Sequence, residues 1–205
     1  MITALMLLFG TAFYGCSAET TTTTVLATTS TTATAETSSL EPIVVPTMPS
    51  VIPGYLEVDP ATGLHMTGTP TVVDFASYRL KVNGKVKQEL SLTYDELRLL
   101  PKVTATPTLV CDRSFVDTAT WSGVQLKMIL EMAGLQSEAI RIRLKGADGY
   151  SASLNLQEAL APENFLAYEL EGQTLPVLHG FPLRAVFPGK NGFVWAKWLL
   201  EITVE

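Results

Sequence analysis

From Thr20 to Ser39 the chain is almost nothing but Thr, Ser and Ala, and that run decides where a fold can lie. It has no apolar periodicity, so it cannot bury enough surface to offset the entropy of ordering. It reads as a flexible tether, with the Pro-rich stretch from Glu41 to Pro53 as its stiffer continuation. A packed domain is therefore expected within residues 54–205.

Ahead of the tether, Met1 to Gly15 is apolar and includes Leu5, Met6, Leu7, Leu8 and Phe9. It is short for a membrane span, which needs ~20 residues, and reads as the core of a signal peptide. Gly15-Cys16-Ser17 has the form of a bacterial lipoprotein cleavage site, at which the cysteine is lipidated. Three segments follow: a signal or lipoprotein-like stretch over 1–16, a tether over 17–53 and a domain over 54–205. The expected location is extracytoplasmic, on a prokaryotic cell envelope, with the membrane reached through Cys16 or the signal segment.

Hydrophobic residues make up 47% of the chain and charged residues 17%, enough for a core. The net charge of −6 argues against a nucleic-acid partner, which needs a basic surface. An anionic ligand would have to find its cations locally.

The domain reads as short strands and short helices without a regular βαβ rhythm, so α+β is expected. Tyr78 to Val82 alternates, and Asn83-Gly84 is a two-residue hairpin signal before Lys85. Thr93 and Glu96 have capping-box spacing for a helix ending before Pro101. Val103 to Val110 reads as one strand delivering Cys111. Val124 to Ala133 has helical periodicity and Gly134 follows it. Ile140 to Leu144 alternates like a half-buried strand, and Asn155 to Glu158 suggests another capped helix. Leu166 to Leu170, Leu183 to Phe187 and Trp195 to Val204 complete a strand-rich second half.

There is no Gly-rich phosphate loop, no Cys-x-x-Cys and no hydrolase elbow. Two histidines, His65 and His179, are too few for zinc unless carboxylates or Cys111 join them. Cys111 is the single cysteine of the domain and reads either as a metal-ligating thiolate or as a buried structural thiol. Paired with His179 it would be a nucleophile.

Four runs occur in order: Leu109-Val-Cys111 followed by Trp121-Ser-Gly123-Val-Gln-Leu126; Asp148-Gly-Tyr150; Leu166 to Gly172 with His179-Gly-Phe-Pro-Leu-Arg184 and Pro188-Gly189-Lys190; and Trp195-Ala-Lys197-Trp198. Together they resemble the sulfite oxidase family, in particular its bacterial molybdopterin-binding oxidoreductases, over about Tyr78 to Val204. The resemblance implies a strand-rich mixed-sheet fold with short helices. It implies a molybdenum–molybdopterin cofactor and oxygen-atom transfer on a small substrate. With no haem or flavin signature in the chain, electrons would pass to a separate redox partner.

The same resemblance assigns roles. Cys111 is the metal ligand and Tyr150 assists beside the metal. Asp148, His179, Arg184, Trp195, Ala196 and Lys197 seat the cofactor. Soft sulfur suits molybdenum, and Arg suits phosphate. In the family the Trp-x-Gly-Val-x-Leu segment starts a helix. Arg113 is a further candidate for an anionic substrate, although Asp112 and Asp117 would oppose one. Where relatives carry Lys-aromatic-Gly-aromatic-Lys, this chain reads Lys190-Asn-Gly-Phe-Val194. The lost lysine keeps a second use of the fold open: a cofactor-free, envelope-tethered module that binds a ligand or protein.

Overall fold

The computed structural model describes residues 40–205. The expected signal segment, Cys16 and the tether as far as residue 39 lie outside the described residues.

Strands and helices follow in chain order: β1 (Leu80–Gly84), β2 (Leu90–Leu92), α1 (Tyr94–Leu99), β3 (Lys102–Ala105), β4 (Thr108–Cys111), β5 (Phe115–Thr118) and β6 (Trp121–Gln125). Then come α2 (Leu126–Ala133), β7 (Arg141–Gly146), β8 (Ser151–Asn155), α3 (Leu156–Ala159), β9 (Phe165–Leu170), β10 (Gln173–Thr174), β11 (Arg184–Val186) and β12 (Leu199–Val204). Short 3-10 turns at Val177–His179 and Gly192–Val194 interrupt the last third. The expected α+β class, strand-rich and with short helices, is what the chain adopts.

One sheet runs β2-β1-β12-β7-β8. Only its β1–β12 pair is parallel. Along β7, Ile142 and Leu144 point inward and Arg141, Arg143 and Lys145 outward. That is the period-2 pattern of a sheet with one wet face. The second sheet runs β10-β9-β6-β3, with β11 also on β9. Here β6, β9 and β11 are buried almost throughout, so this sheet is covered on both faces. Helix α2 buries Leu126, Ile129, Leu130 and Ala133 and stops at Gly134, with φ +68°. A separate hairpin, β4–β5, projects beside them.

Local signals fixed the helix starts. Thr93 Oγ1 accepts the Glu96 N–H at 3.0 Å, and the Glu96 carboxylate accepts the Thr93 N–H at 2.7 Å. Asn155 Oδ1 accepts the Glu158 N–H at 2.8 Å. Caps of this kind contribute about 1 kcal/mol each.

Four expectations need correction. Asn83-Gly84 is not a two-residue hairpin, because the pairing of β1 with β2 closes at Val82–Leu90 and leaves residues 83–89 between them. Gly84 instead closes against the end of β12. Its φ is +89°, and a Cβ there would lie 2.1 Å from the Val204 carbonyl oxygen. The stretch Val103 to Val110 is two strands, since Pro107 has no N–H for the ladder. β3 pairs with β6, and β4 pairs with β5. The Trp121–Gln125 segment is strand rather than the start of a helix, and α2 begins at Leu126. Its apolar spacing is a fully buried strand running straight into a helix, which periodicity alone cannot divide. Likewise only Leu199–Val204 of the last stretch is strand.

The segment from residue 40 to Pro53 is mostly exposed. Ile43 nevertheless packs against the core. Arg98 Nη2 donates to the Glu41 carbonyl at 2.8 Å.

Candidate active-site cavity

The hairpin β4–β5 presents one face to the domain. Cys111 is opposite Phe115, and Leu109 opposite Asp117. Strand residues two apart share a face, so these four side chains line one wall, while Val110 and Val116 point out to solvent. An isolated bridge from Val110 to Asn191 ties the hairpin to the chain before the Gly192–Val194 turn. Gly192 lies close against it: a Cβ there would stand 3.3 Å from Leu109 Cδ2 and 3.6 Å from Cys111 Cβ.

The wall closes a cavity of about 250 Å³. All eight residues singled out from the sequence line it: Cys111, Asp148, Tyr150, His179, Arg184, Trp195, Ala196 and Lys197. They come from four separate stretches of chain. Asp148 and Tyr150 belong to the β7–β8 turn, where the Asp148 carboxylate accepts the Tyr150 N–H at 3.0 Å. Tyr150 is half-exposed, and its hydroxyl donates to the Phe193 carbonyl at 2.6 Å. Burial raises its phenol above the usual range, with the electrostatic influence of Asp148 and then Cys111 adding to it.

A second end of the cavity is buried and cationic. Arg184, at the start of β11, is 6% exposed. Its guanidinium carbon lies 4.7 Å from the Trp121 ring centre and 5.8 Å from that of Trp195. Nη1 donates to the His179 carbonyl at 3.3 Å, but Nε is buried with no partner. Burial pulls this guanidinium down to about 10, so it stays charged at neutral pH. Lys197 Nζ donates to the Leu178 carbonyl at 3.0 Å and also to that of Thr67. Burial first, then Arg184, holds its ammonium well below the usual lysine range. An orphaned buried donor costs roughly 1–3 kcal/mol and more on a charged group, and a protein carries that cost where a ligand removes it.

His179 ends the Val177–His179 turn, with Nε2 2.9 Å from Asp59 Oδ2 and 2.8 Å from Thr62 Oγ1. Burial and the Arg184 charge pull it down to about 4, although Asp59 opposes them. The ring is therefore neutral at pH 7. The Nε2–H then donates to Asp59, and the Thr62 hydroxyl donates to the same carboxylate oxygen at 3.0 Å. Burial works to raise the Asp59 carboxyl, but hydrogen bonds from the Ala61 N–H, His179 and Thr62 outweigh it and hold the carboxyl low. With Nε2 committed in this way, no hydrogen bond joins His179 to Cys111 among the described residues. The Cys–His nucleophilic pair is not built.

Two other readings change. Arg113 sits exposed in the β4–β5 turn at φ +63° and does not line the cavity. Lys190 pairs with Glu158 and lies off the lining too. Among the described residues no cluster of three His, Cys, Asp or Glu side chains is poised to hold a metal, which closes the zinc reading there.

Sequence reasoning missed His65, Phe115, Trp121 and Phe193 as lining residues. It read Asp117 only as a repulsive charge. Asp59, whose partner is 120 positions away, left no local signal. Period-2 alternation from Cys111 was a usable signal for Phe115 and Asp117. The donor set as a whole suits a ligand with a soft metal at the Cys111 end and an anionic group at the Arg184–Lys197 end.

Residues 66–205 match the model of a family described as the oxidoreductase molybdopterin binding domain. The chain is 35% identical over 132 residues to the putative protein-methionine-sulfoxide reductase subunit YedZ1 of Azospira oryzae, covering 64% of this chain and 50% of that one. Against rat mitochondrial sulfite oxidase identity is 36% over 163 residues, covering 65% and 30%. Against the uncharacterized oxidoreductase YuiH of Bacillus subtilis it is 33% over 141 residues, covering 68% and 71%. The fold matches the crystal structure of the sulfane dehydrogenase SoxCD from Paracoccus pantotrophus with a TM-score of 0.62 at 24% identity, over 66% of this chain and 40% of that one. The chain thus spans half or less of the length of several of these relatives.

Proposed function

The chain belongs to the oxidoreductase molybdopterin-binding domain family, and from that premise we propose that its cavity holds a molybdenum–molybdopterin cofactor for oxygen-atom transfer on a small substrate. When bound, that group supplies a metal able to exchange an oxygen atom and two electrons with a substrate.

The chain's own residues supply the rest. Cys111 offers the metal its thiolate, the soft ligand molybdenum favours. Arg184 and Lys197 receive the anionic end of the cofactor, and His179 presents its neutral ring beside them. Trp195 and Ala196 wall that end, and Asp148 accepts N–H groups from the pterin. Tyr150 holds a protonated phenol at the cavity mouth, a donor to an oxygen atom there.

The observation that carries this reading is the orphaned Arg184 Nε inside a buried cationic end, in a cavity that the only described cysteine also lines. An anionic group at that end would satisfy the donor and offset the charges. The acidic balance of the chain, −6, makes such a local cation cluster specific rather than a general surface property. Electrons would pass to a separate redox partner. We further propose that the chain works outside the cytoplasm, tethered to a cell envelope through Cys16. Metabolic labelling with palmitate checks the tether: Cys16→Ala abolishes the label.

Metal analysis of protein purified after native expression tests the main reading. Molybdenum near one per chain, lost in Cys111→Ser while the thermal midpoint barely moves, is the expected result. Wild-type protein that stays free of molybdenum in a host that makes the cofactor would sink it and leave the cofactor-free module.

A further inference from the structure

We infer that His65 and Asp117 form a proton-transfer dyad serving the Cys111 end of the cavity. The inference rests on the oxygen-atom-transfer reading above and assigns it a residue pair.

The geometry is specific. Asp117 commits both carboxylate oxygens to one residue. Oδ2 accepts the His65 backbone N–H at 2.8 Å, and Oδ1 accepts from His65 Nδ1 at 2.7 Å. The imidazole also stacks on Phe115, with ring centres 4.6 Å apart and planes 14° apart. Two hydrogen bonds and a stacked face fix the ring in position and orientation. A carboxylate on Nδ1 keeps the proton there, which leaves Nε2 as the nitrogen free to take up or release a proton. Nε2 makes no hydrogen bond among the described residues. The His65 side chain lines the cavity and is 27% exposed, so it reaches both the interior and solvent. A base oriented by a carboxylate and aimed at a reaction cavity is the arrangement general acid–base chemistry needs.

The pair is also placed on the right elements. Phe115 is opposite Cys111, and Asp117 is on the same face of β5. A hairpin that positions the thiolate therefore positions the dyad with it. His65 comes from outside the hairpin, in the segment bridged to Val58. Asp117, read from sequence as a charge opposing an anion, is instead spent on the ring. Arg184 lies near enough for the Asp117 carboxylate to favour its charged form. Among the described residues no Arg or Lys other than Arg184 and Lys197 lines it. The hairpin wall itself contributes no cation to the lining, only Leu109, Cys111, Phe115 and Asp117, and that wall suits a neutral oxide better than an oxyanion.

The chemistry requires protons. Reduction of a neutral oxide XO follows XO + 2H⁺ + 2e⁻ → X + H₂O. The X–O bond breaks, the separate redox partner supplies both electrons, and the oxygen leaves as water. His65 Nε2 delivers one of the two protons from solvent, and Asp117 stabilises the imidazolium formed on the way. In the oxidative direction the same nitrogen removes one of the two protons from water.

The test uses molybdenum-loaded protein with dimethyl sulfoxide and reduced methyl viologen, and dimethyl sulfide with ferricyanide for the reverse. His65→Ala keeps its molybdenum and loses turnover about 100-fold, and added imidazole restores at least tenfold. A ring that only supports structure is not replaced by free imidazole. Should His65→Ala fail to hold molybdenum, Asp117→Asn decides: it keeps the ring, slows turnover about tenfold and raises the solvent deuterium isotope effect. A long-range ¹H–¹⁵N spectrum, which needs no turnover, places the His65 proton on Nδ1 in the wild type. Undiminished turnover in a loaded variant, absence of imidazole rescue, or a proton on Nε2 alone overturns the dyad and leaves the cofactor reading standing. Wild-type protein without molybdenum overturns both, and loaded protein inert in both assays overturns the dyad and the oxygen-atom transfer while its bound molybdenum keeps the cofactor.

Discussion

The two ends of the cavity are built on opposite principles. At the cationic end, His179, Arg184 and Lys197 are buried on the chain between β10 and β12, in a 3-10 turn, on β11 and just before β12. Their polar atoms are committed to carbonyls and to Asp59, and one donor is left over. At the sulfur end, Cys111, Tyr150 and His65 are part-exposed on a two-stranded hairpin and two turns. A lone hairpin is marginal by itself, and the bridge to Asn191 helps to hold this one. The difference teaches a division of labour. The buried end costs stability that a permanent anion restores, while the open end stays accessible to a substrate that must come and go.

Acid breaks the comparison hardest at the buried end. His179 is pulled from 6.5 to about 4, so the folded protein resists a proton that the unfolded chain accepts. Stability from this group is complete above pH 6.5 and falls as the pH drops through 4, by about 3 kcal/mol across the window. Asp59, also held low, acts in the same direction. Urea titrations of cofactor-free protein between pH 7 and 4 should show the slope, and His179→Gln should flatten it. A slope that His179→Gln leaves unchanged would place the acid sensitivity elsewhere.

Arg184→Met comes next. It removes a buried charge with an orphaned donor and keeps the volume between the two indoles. Cofactor-free protein should gain about 2 kcal/mol, since replacing uncompensated buried charge by apolar volume is commonly neutral or stabilising. Molybdenum content should fall ten- to a hundredfold. Loss of stability with molybdenum retained would make the guanidinium a structural plug. Cys111→Ser supplies the contrast: molybdenum lost, folding nearly unchanged.

The sequence was more informative about the buried end than about the open one. His179, Arg184 and the Trp195–Lys197 run lie in compact motifs, and the resemblance carried them together. Capping residues Thr93 and Asn155 were legible because a cap acts over three positions. His65–Asp117 and Asp59–His179 were not legible, because each pair spans two distant segments and only the fold joins them. The strand character of Trp121–Gln125 was hidden for a different reason. A strand buried on both faces loses its alternation, and the helix that follows at once supplied a period that masked it.

Tyr150→Phe is the smallest change and separates the two ends most finely. It deletes one hydroxyl whose hydrogen bond, to the Phe193 carbonyl, lies at a half-exposed position where water can replace it. Folding should therefore lose no more than about 1 kcal/mol. Molybdenum content should not change, because the phenol donates to the Phe193 carbonyl and is hydrogen-bonded to none of His179, Arg184 or Lys197. Since burial and neighbouring negative charge raise the phenol, it stays protonated and able to donate throughout the neutral range. Turnover should fall about tenfold, equivalent to ~1.4 kcal/mol of lost transition-state stabilisation. Molybdenum analysis beside turnover reads the result. If metal content drops together with rate, Tyr150 belongs to the seat of the cofactor, and the boundary between the two ends moves toward the β7–β8 turn. If rate drops alone, the phenol acts on the substrate side with His65 and Asp117, and Tyr150→Phe combined with Asp117→Asn should then lose more rate than either variant alone.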